Sequence, residues 1–129
     1  MNGAAEIAVV GAGAWGTALA QMLAADGAPV LIWAREEEVV ADINAYHHND
    51  RFLPESPLSP SISATTDLGD LAACEIVLAV TPAQHLGAVL KELEHEPRDL
   101  VLCSKGIEQG TGYLMNHVAR AACPDSHVA

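Results

Sequence analysis

The chain has 129 residues, enough for one domain with a real core, because a domain of this size buries roughly two thirds of its unfolded surface. Half of the residues are hydrophobic and only 4% are aromatic, so alanine, valine and leucine must fill the interior. The formal net charge of -11 excludes binding to nucleic acid or to an anionic membrane through bulk charge. Any bound anion must therefore be held by local attraction.

Apolar runs and helical patterns alternate along the chain. The apolar runs predict strands at Glu6–Val10, Pro29–Trp33, Ser61–Thr65, Glu75–Val80 and Asp99–Ser104. Helical patterns follow at Trp15–Ala25, Glu36–Tyr46, Leu68–Ala72, from Thr81 onward and at Gly110–Ala122. This alternation predicts a Rossmann-type α/β fold, in which a doubly wound parallel sheet lies between two layers of helices. The usual sixth strand is not visible, and Asp125–Ala129 has the character of a cut end.

The helix ends carry suitable residues. Gly27 is a stop signal for the first helix, and Asp67 can cap the short third helix. Thr81 serves as N-cap of the next helix, with Pro82 in its first turn and Gln84 closing a capping box.

The cysteines indicate a reducing compartment. Cys74, Cys103 and Cys123 are odd in number and widely spaced, and the first two sit in apolar segments as small buried hydrophobes. No charged and apolar leader opens the chain, and no window is long enough to span a membrane. We therefore expect a soluble cytoplasmic protein.

A Gly-x-Gly-x-x-Gly motif joins the first strand to the first helix. Gly11 lets the chain turn sharply, Gly13 keeps side-chain atoms away from an approaching pyrophosphate, and Gly16 lets the helix lie close to the strand. The free N–H groups and the positive dipole end of the helix can bind the anion. Because a readable strand and helix flank it, the motif favours dinucleotide binding over a merely structural turn.

The end of the second strand bears on which dinucleotide fits. An acidic residue there would bind the 2′-OH of NAD, but this chain has Arg35, which can pair with the 2′-phosphate of NADP. Glu36 follows at once and would favour NAD if it turned inward. The alternative for Arg35 is an exposed residue at a helix start. NADP is favoured.

Three further residues lie where ligands bind in such sheets. Trp15 either lies beside the cofactor or plugs the turn. Pro82 follows a strand, so its backbone can line the cleft as well as start a helix. Lys105 ends the last strand and suits a phosphate or a developing alkoxide, whereas Lys91 is expected to be a solvated surface charge.

No metal or hydrolase chemistry is predicted. His47 and His48 are adjacent, which is poor geometry for two ligands of one ion. The other histidines are scattered and are expected at the surface or in loops: His85, His95, His117 and His127. No serine lies in a nucleophile elbow.

Short segments beyond the glycines run in a recognisable order. They are Gly11–Ala20, Trp33-x-Arg35, Ile43-Asn44, Asn49-x-Arg51-Phe52-Leu53-Pro54, Ala64–Leu68, Val80-x-Pro82-x-Gln84, Ser104–Glu108 and Gly110-Thr111. Together they resemble bacterial NAD(P)-dependent glycerol-3-phosphate dehydrogenase over essentially the whole chain, and the Trp-Gly-Thr-Ala segment is the most specific part. Glu55 departs from the pattern, since glycine often follows Leu-Pro in that family.

The resemblance implies an oxidoreductase that interconverts sn-glycerol 3-phosphate and dihydroxyacetone phosphate by hydride transfer, for glycerophospholipid synthesis. It implies cofactor contacts from Ala14, Trp15, Arg35 and Lys105, and a substrate contact from Lys105. With the glycines and Pro82, these residues form the expected site for NAD or NADP.

The same resemblance places the proton-transferring lysine in a helical second domain. We therefore expect residues 1–129 to be a single NAD(P)-binding domain, truncated before the substrate domain, with no catalytic residue of its own. The full-length form would be a homodimer. Two alternatives stay open, which are another dehydrogenase of the same superfamily and a non-catalytic dinucleotide-binding or sensing module.

Overall fold

The computed structural model describes residues 5–81, 83–93, 96–103 and 115–129, and for residues 83, 84 and 115–118 the backbone alone. The described strands are β1 Ile7–Val10, β2 Val30–Trp33, β3 Ile62–Thr65, β4 Ile76–Ala79, β5 Asp99–Leu102 and β6 His127–Val128. The helices are α1 Ala14–Ala24, α2 Glu37–Tyr46, a 3-10 helix Leu68–Ala73, α3 Ala83–Lys91 and α4 Met115–Ala122.

All strand pairs of the sheet are parallel, and the strands lie in the order β3-β2-β1-β4-β5-β6. The chain moves outward from β1 to β3 and then returns to place β4 on the other side of β1. In register, Ile7 of β1 lies between Val30 of β2 and Ile76 of β4. This is the doubly wound order that opens a crevice at the carboxyl ends of β1 and β4. The predicted Rossmann-type fold is confirmed.

The core lies on both faces of the sheet, because the central strand is buried on both sides. Val9 of β1 faces the cluster that α1 and α2 cover, whereas Ala8 and Val10 face the cluster that the 3-10 helix, α3 and α4 cover. All three residues are 0% exposed. The structure therefore has the predicted three layers.

The prediction that the sixth strand is missing was wrong. His127 pairs with Asp99 and Val128 with Leu100, in a parallel strand beside β5. The N–H of Ala129 donates to the carbonyl of Leu100 at 2.9 Å. Two residues with one apolar side chain show no periodicity, so only the pairing with β5 identifies this strand.

The predicted helix stop at Gly27 and the predicted cap at Asp67 agree with the structure, whereas the N-cap role of Thr81 stays a prediction. Gly27 has φ +91° after α1, and the Asp67 carboxylate accepts from the N–H of Gly69 at 2.8 Å. The Thr81 hydroxyl donates to the carbonyl of Val10, which ties the end of β4 to β1. Pro82 and the side chain of Gln84 lie outside the described residues, as does the predicted start of the last helix at residues 110–114.

The three cysteines are free thiols. Cys74 and Cys123 are buried, whereas Cys103, predicted to be buried, is only half-buried. Burial raises the pKa of each thiol, and the nearby Glu96 carboxylate raises the pKa of Cys123 further. In the part of the chain that the structure describes, no helix is long and apolar enough to cross a membrane.

Candidate functional site

A pocket of about 430 Å³ opens at the carboxyl ends of β1, β2 and β4. Its walls come from the β1–α1 loop, the ends of β2 and β4, the loop after α2 and helix α3: Gly11, Ala12, Gly13, Ala14, Trp15, Gly16, Trp33, Arg35, Glu36, Phe52, Val80, Thr81 and His85. The structure thus brings six of the eight predicted cofactor residues together. The other two, Pro82 and Lys105, lie outside the described residues.

Gly11 is the point where the chain turns from β1 toward α1. Its φ is +120°, a conformation that residues with a side chain rarely adopt. A Cβ there would lie 3.0 Å from the nitrogen of Thr81, and the N–H of Gly11 donates to the carbonyl of Trp33 at 3.0 Å. The turn is therefore pressed between β2 and β4, and only glycine fits.

Gly13 and Gly16 have opposite surroundings. A Cβ on Gly16 would lie 1.9 Å from the carbonyl oxygen of Gly11, so the helix can approach the strand only without that atom. A Cβ on Gly13 would meet nothing within 4 Å, although this glycine lines the pocket. Gly16 thus serves packing inside the protein, whereas the space beside Gly13 is open to a ligand.

The N-terminus of α1 has the properties of an anion site. Gly13 is its N-cap and supplies no side-chain cap, and the first turn holds no acidic residue. The first N–H groups of an α-helix have no partner within the helix, and its dipole favours negative charge at this end. In a chain of net charge -11, this end supplies the local attraction that an anionic ligand requires.

The segment after β2 brings one positive and one negative side chain to the pocket wall. Arg35 is exposed and Glu36 is half-buried, and both line the wall. Arg51 pairs with Glu38 outside this pocket, whereas Arg35 makes no ion pair with any described residue. The guanidinium of Arg35 is thus available to a ligand.

Both tryptophans of the chain line the pocket. Trp33 is 7% exposed, and its indole N–H donates to the carbonyl of Thr66 at 3.0 Å. Trp15 is 60% exposed, so it lies at the mouth of the pocket and does not plug the turn.

Comparison with known proteins assigns the chain to a family. The family model described as the N-terminus of NAD-dependent glycerol-3-phosphate dehydrogenase matches residues 6–129. The chain belongs to this family.

Several relatives carry the name glycerol-3-phosphate dehydrogenase. The chain is 66% identical to the NAD(P)+ enzyme of Erythrobacter litoralis over 125 residues, which are 97% of this chain and 38% of that protein. It is 59% identical to the one from Novosphingobium aromaticivorans, over 96% of this chain and 38% of that protein. The chain therefore spans less than two fifths of the length of these relatives.

A solved structure supports the same fold. The crystal structure of glycerol-3-phosphate dehydrogenase from Coxiella burnetii superposes with a TM-score of 0.81 and 31% identity. The match covers 95% of this chain and 38% of that one. Membership of the glycerol-3-phosphate dehydrogenase family thus agrees with the predicted resemblance in both sequence and fold.

Phe52 and His85 are among the pocket residues that the sequence analysis did not predict. Phe52 lies in the loop after α2, and His85, predicted at the surface or in a loop, is half-buried on α3. Neither belongs to the glycine motif, and each reaches the pocket only through the tertiary fold. For Phe52, a signal was present in the segment Asn49–Pro54 that resembles the glycerol-3-phosphate dehydrogenase family.

One cluster of possible metal ligands lies away from the pocket. Asp42, His48 and Asp50 place one ligand atom each within 4.8 Å of one another. The ring of His48 lies 2.9 Å from the carboxylate of Asp42, and the Asp50 side chain is exposed. Exposed acidic groups are common without an ion, so the absence of a metal site stays a prediction.

Proposed function

We propose that the chain binds NADP or NAD in the pocket at the carboxyl ends of β1 and β4. The observation that carries the proposal is the β1–α1 loop, where a Cβ would collide at Gly16 but meet nothing at Gly13. Gly16 lets the helix pack closely against the strand, and Gly13 leaves room for a pyrophosphate at the helix N-terminus. The residues present therefore fit the group that the family implies.

The site residues take separate roles in this proposal. Gly11, Gly13 and Gly16 shape the loop, and Ala14 and Trp15 contact the dinucleotide from the start of α1. When bound, the nicotinamide ring supplies or accepts a hydride.

Two further roles rest on the sequence: that of Pro82 on its place after a strand, and that of Lys105 on its place at a strand end and on the family resemblance. Pro82 would line the cleft beside β4, and Lys105 would contact both the cofactor and the substrate. A lysine suits either contact, because the cofactor and glycerol 3-phosphate both carry phosphate groups.

We propose that Arg35 makes NADPH the preferred dinucleotide. It lines the pocket and has no ion-pair partner among the described residues, so a 2′-phosphate can pair with it without breaking another contact. Glu36 lines the same wall and would bind the free ribose of NAD, which sets the two residues in opposition.

The wider proposal concerns the reaction. Residues 1–129 form a single cofactor-binding domain of an oxidoreductase that interconverts sn-glycerol 3-phosphate and dihydroxyacetone phosphate. The relatives are more than twice as long as this chain, which supports the view that residues beyond these 129 bind substrate and move its proton. We also propose a homodimer for the longer form and the cytoplasm as its compartment, which the three free thiols favour.

A fluorescence titration tests cofactor binding directly. Because both tryptophans line the pocket, NADPH should quench their emission in a saturable way, and free nicotinamide should not. An absence of saturable quenching, together with an unchanged melting temperature in NADPH, would contradict the proposed function.

A chimera tests the reaction. The 129 residues alone should reduce dihydroxyacetone phosphate no faster than a blank, whereas their fusion to the remaining residues of the Erythrobacter litoralis relative should reduce it with NADPH. Turnover by the isolated chain would overturn the domain proposal. An inactive chimera that still binds NADPH would favour a non-catalytic sensing module.

A further inference from the structure

Asn49 is a buried polar residue that the proposed cofactor contacts do not use. It lies in the loop after α2 and is 0% exposed, as is Thr17 of α1. The side-chain amide of Asn49 donates to the carbonyl of Ala12 at 2.9 Å and to the Thr17 hydroxyl at 2.8 Å. The Thr17 hydroxyl donates to the same Ala12 carbonyl at 3.2 Å. Two buried donors therefore hold one carbonyl of the glycine loop.

This carbonyl belongs to the peptide that joins Ala12 to Gly13. A trans peptide is planar, so its C=O and its N–H point in opposite directions. With the Ala12 oxygen held toward Asn49, the N–H of Gly13 must point away from Asn49. Gly13 is the N-cap of α1 and lines the pocket. The buried amide thus sets the direction of a backbone N–H in the part of the glycine loop that lines the pocket.

The other half of Asn49 fixes a pocket wall. Its side-chain oxygen accepts from the N–H of Phe52 at 3.2 Å, and its backbone carbonyl accepts from the N–H of Leu53 at 2.8 Å. These bonds close a turn that carries Phe52 to the pocket. One buried side chain therefore connects the glycine loop with the loop after α2.

We propose that Asn49 is a positioning residue for the dinucleotide, which orients the Gly13 N–H toward the pyrophosphate and places Phe52 beside it. The inference rests on the proposed function, since it assumes that NAD(P) occupies the pocket. Unlike Trp15 or Arg35, Asn49 does not line the pocket, so it acts through the backbone that it holds.

The experiment compares Asn49→Leu with Asn44→Leu in the 129-residue chain. Leucine has nearly the shape of asparagine but neither donates nor accepts. Asn44 is a suitable control because its amide also makes two backbone bonds, to the carbonyl and the N–H of Ala64, away from the pocket. The Kd for NADPH is measured by tryptophan fluorescence well below each melting temperature, and the Gly13 amide proton is followed by NMR.

Asn49→Leu should raise the Kd about tenfold or more, the effect expected when a hydrogen bond to a charged phosphate is misaligned. Asn49→Leu should also change the chemical shift of the Gly13 amide proton in the free chain. Asn44→Leu should leave that chemical shift unchanged and should change the Kd for NADPH by less than about twofold. A wild-type Kd in Asn49→Leu, or an equal loss in both variants, would overturn the inference. A wild-type chain that does not bind NADPH would instead contradict the proposed function.

A second variant covers the case in which Asn49→Leu does not fold. Thr17→Val removes one of the two donors to Ala12 and keeps the shape of the side chain. It should raise the Kd for NADPH about threefold, because Asn49 still holds the carbonyl. An unchanged Kd and an unmoved Gly13 resonance in Thr17→Val would contradict the proposal.

Discussion

The loop that joins β1 to α1 and the short segment that follows β2 line the same pocket, but different forces specify them. In the loop, backbone atoms pack so closely that a Cβ on Gly16 would lie 1.9 Å from a carbonyl oxygen. After β2, an exposed Arg35 and a half-buried Glu36 carry opposite charges, and no described residue forms an ion pair with either. Packing allows only glycine at positions 11 and 16 of the loop, whereas the β2 end can change with little effect on the fold.

This difference separates what any dinucleotide requires from what selects among dinucleotides. The pyrophosphate is common to NAD and NADP, and in the proposed function it lies against the glycine loop. The 2′-phosphate distinguishes the two dinucleotides, and in the proposed function it lies against the charges after β2. An exposed ion pair contributes about 0–1 kcal/mol, so the β2 end can be altered at small cost in stability.

The largest effect is expected from Gly16→Ala. The added methyl group collides with the carbonyl of Gly11, so α1 must move away from β1. Overpacking of this kind should lower the free energy of unfolding by about 3 kcal/mol and abolish NADPH binding. Urea unfolding measures the lost free energy of unfolding, provided that the dependence of this free energy on urea concentration is the same in both proteins. A variant as stable as the wild type would mean that the helix and strand are not in this close contact.

Gly13→Ala should separate binding from stability. Its Cβ meets nothing within 4 Å, so the free energy of unfolding should change by no more than about 1 kcal/mol, as the weaker N-cap is partly offset by a stiffer unfolded chain. The methyl group occupies space needed by the pyrophosphate, and the Kd for NADPH and NADH should both rise about tenfold or more. The two titrations and a urea curve check this.

Each of the two glycine variants serves as a control for the other. If Gly13→Ala bound both dinucleotides as tightly as the wild type, the pyrophosphate could not lie against this glycine, whatever Gly16→Ala did. If Gly13→Ala lost as much stability as Gly16→Ala, the contrast between the two positions would fail.

The same contrast explains what could be predicted from the sequence. The glycine loop was readable because packing admits only glycine at positions 11 and 16, and because a bound pyrophosphate would need the open space at Gly13. The strand order followed from the alternation of strands and helices. β6 was missed, since two residues carry no pattern and its pairing with Asp99 and Leu100 exists only in the fold. Asn49 and Phe52 lie in a segment that resembles the family, but their roles depend on a loop that folds back onto Ala12, and that contact exists only in the fold.

After β2, Arg35→Ala should change the preference for NADPH over NADH and have little effect on the binding of NADH. Removal of the guanidinium should raise the Kd for NADPH about tenfold, because a charge-assisted contact to the 2′-phosphate is lost. The Kd for NADH should change less than about twofold, since NADH lacks that phosphate. Fluorescence titrations with both dinucleotides measure the ratio.

Glu36→Gln is the matched control for Arg35→Ala. This substitution keeps the shape of the Glu36 side chain and removes its negative charge. NADPH should therefore bind slightly more tightly and NADH more weakly. Equal losses of NADPH and NADH in Arg35→Ala would indicate that the arginine contacts the shared adenosine, and the assignment of preference to its charge would be wrong.

The smallest effect is expected from added salt, which should weaken the contact of Arg35 with the dinucleotide and leave the contacts at the α1 N-terminus nearly unchanged. Raising the ionic strength from about 0.1 M to about 1 M shortens the Debye length from about 10 Å to about 3 Å. The exposed Arg35 is screened, so the preference for NADPH over NADH should fall about threefold. The short hydrogen bonds at the α1 N-terminus are screened less, and the Kd for NADH should barely move. In Arg35→Ala the preference for NADPH should no longer fall as salt is raised, because the attracting charge is gone; a fall that persisted in this variant would place the selecting charge elsewhere.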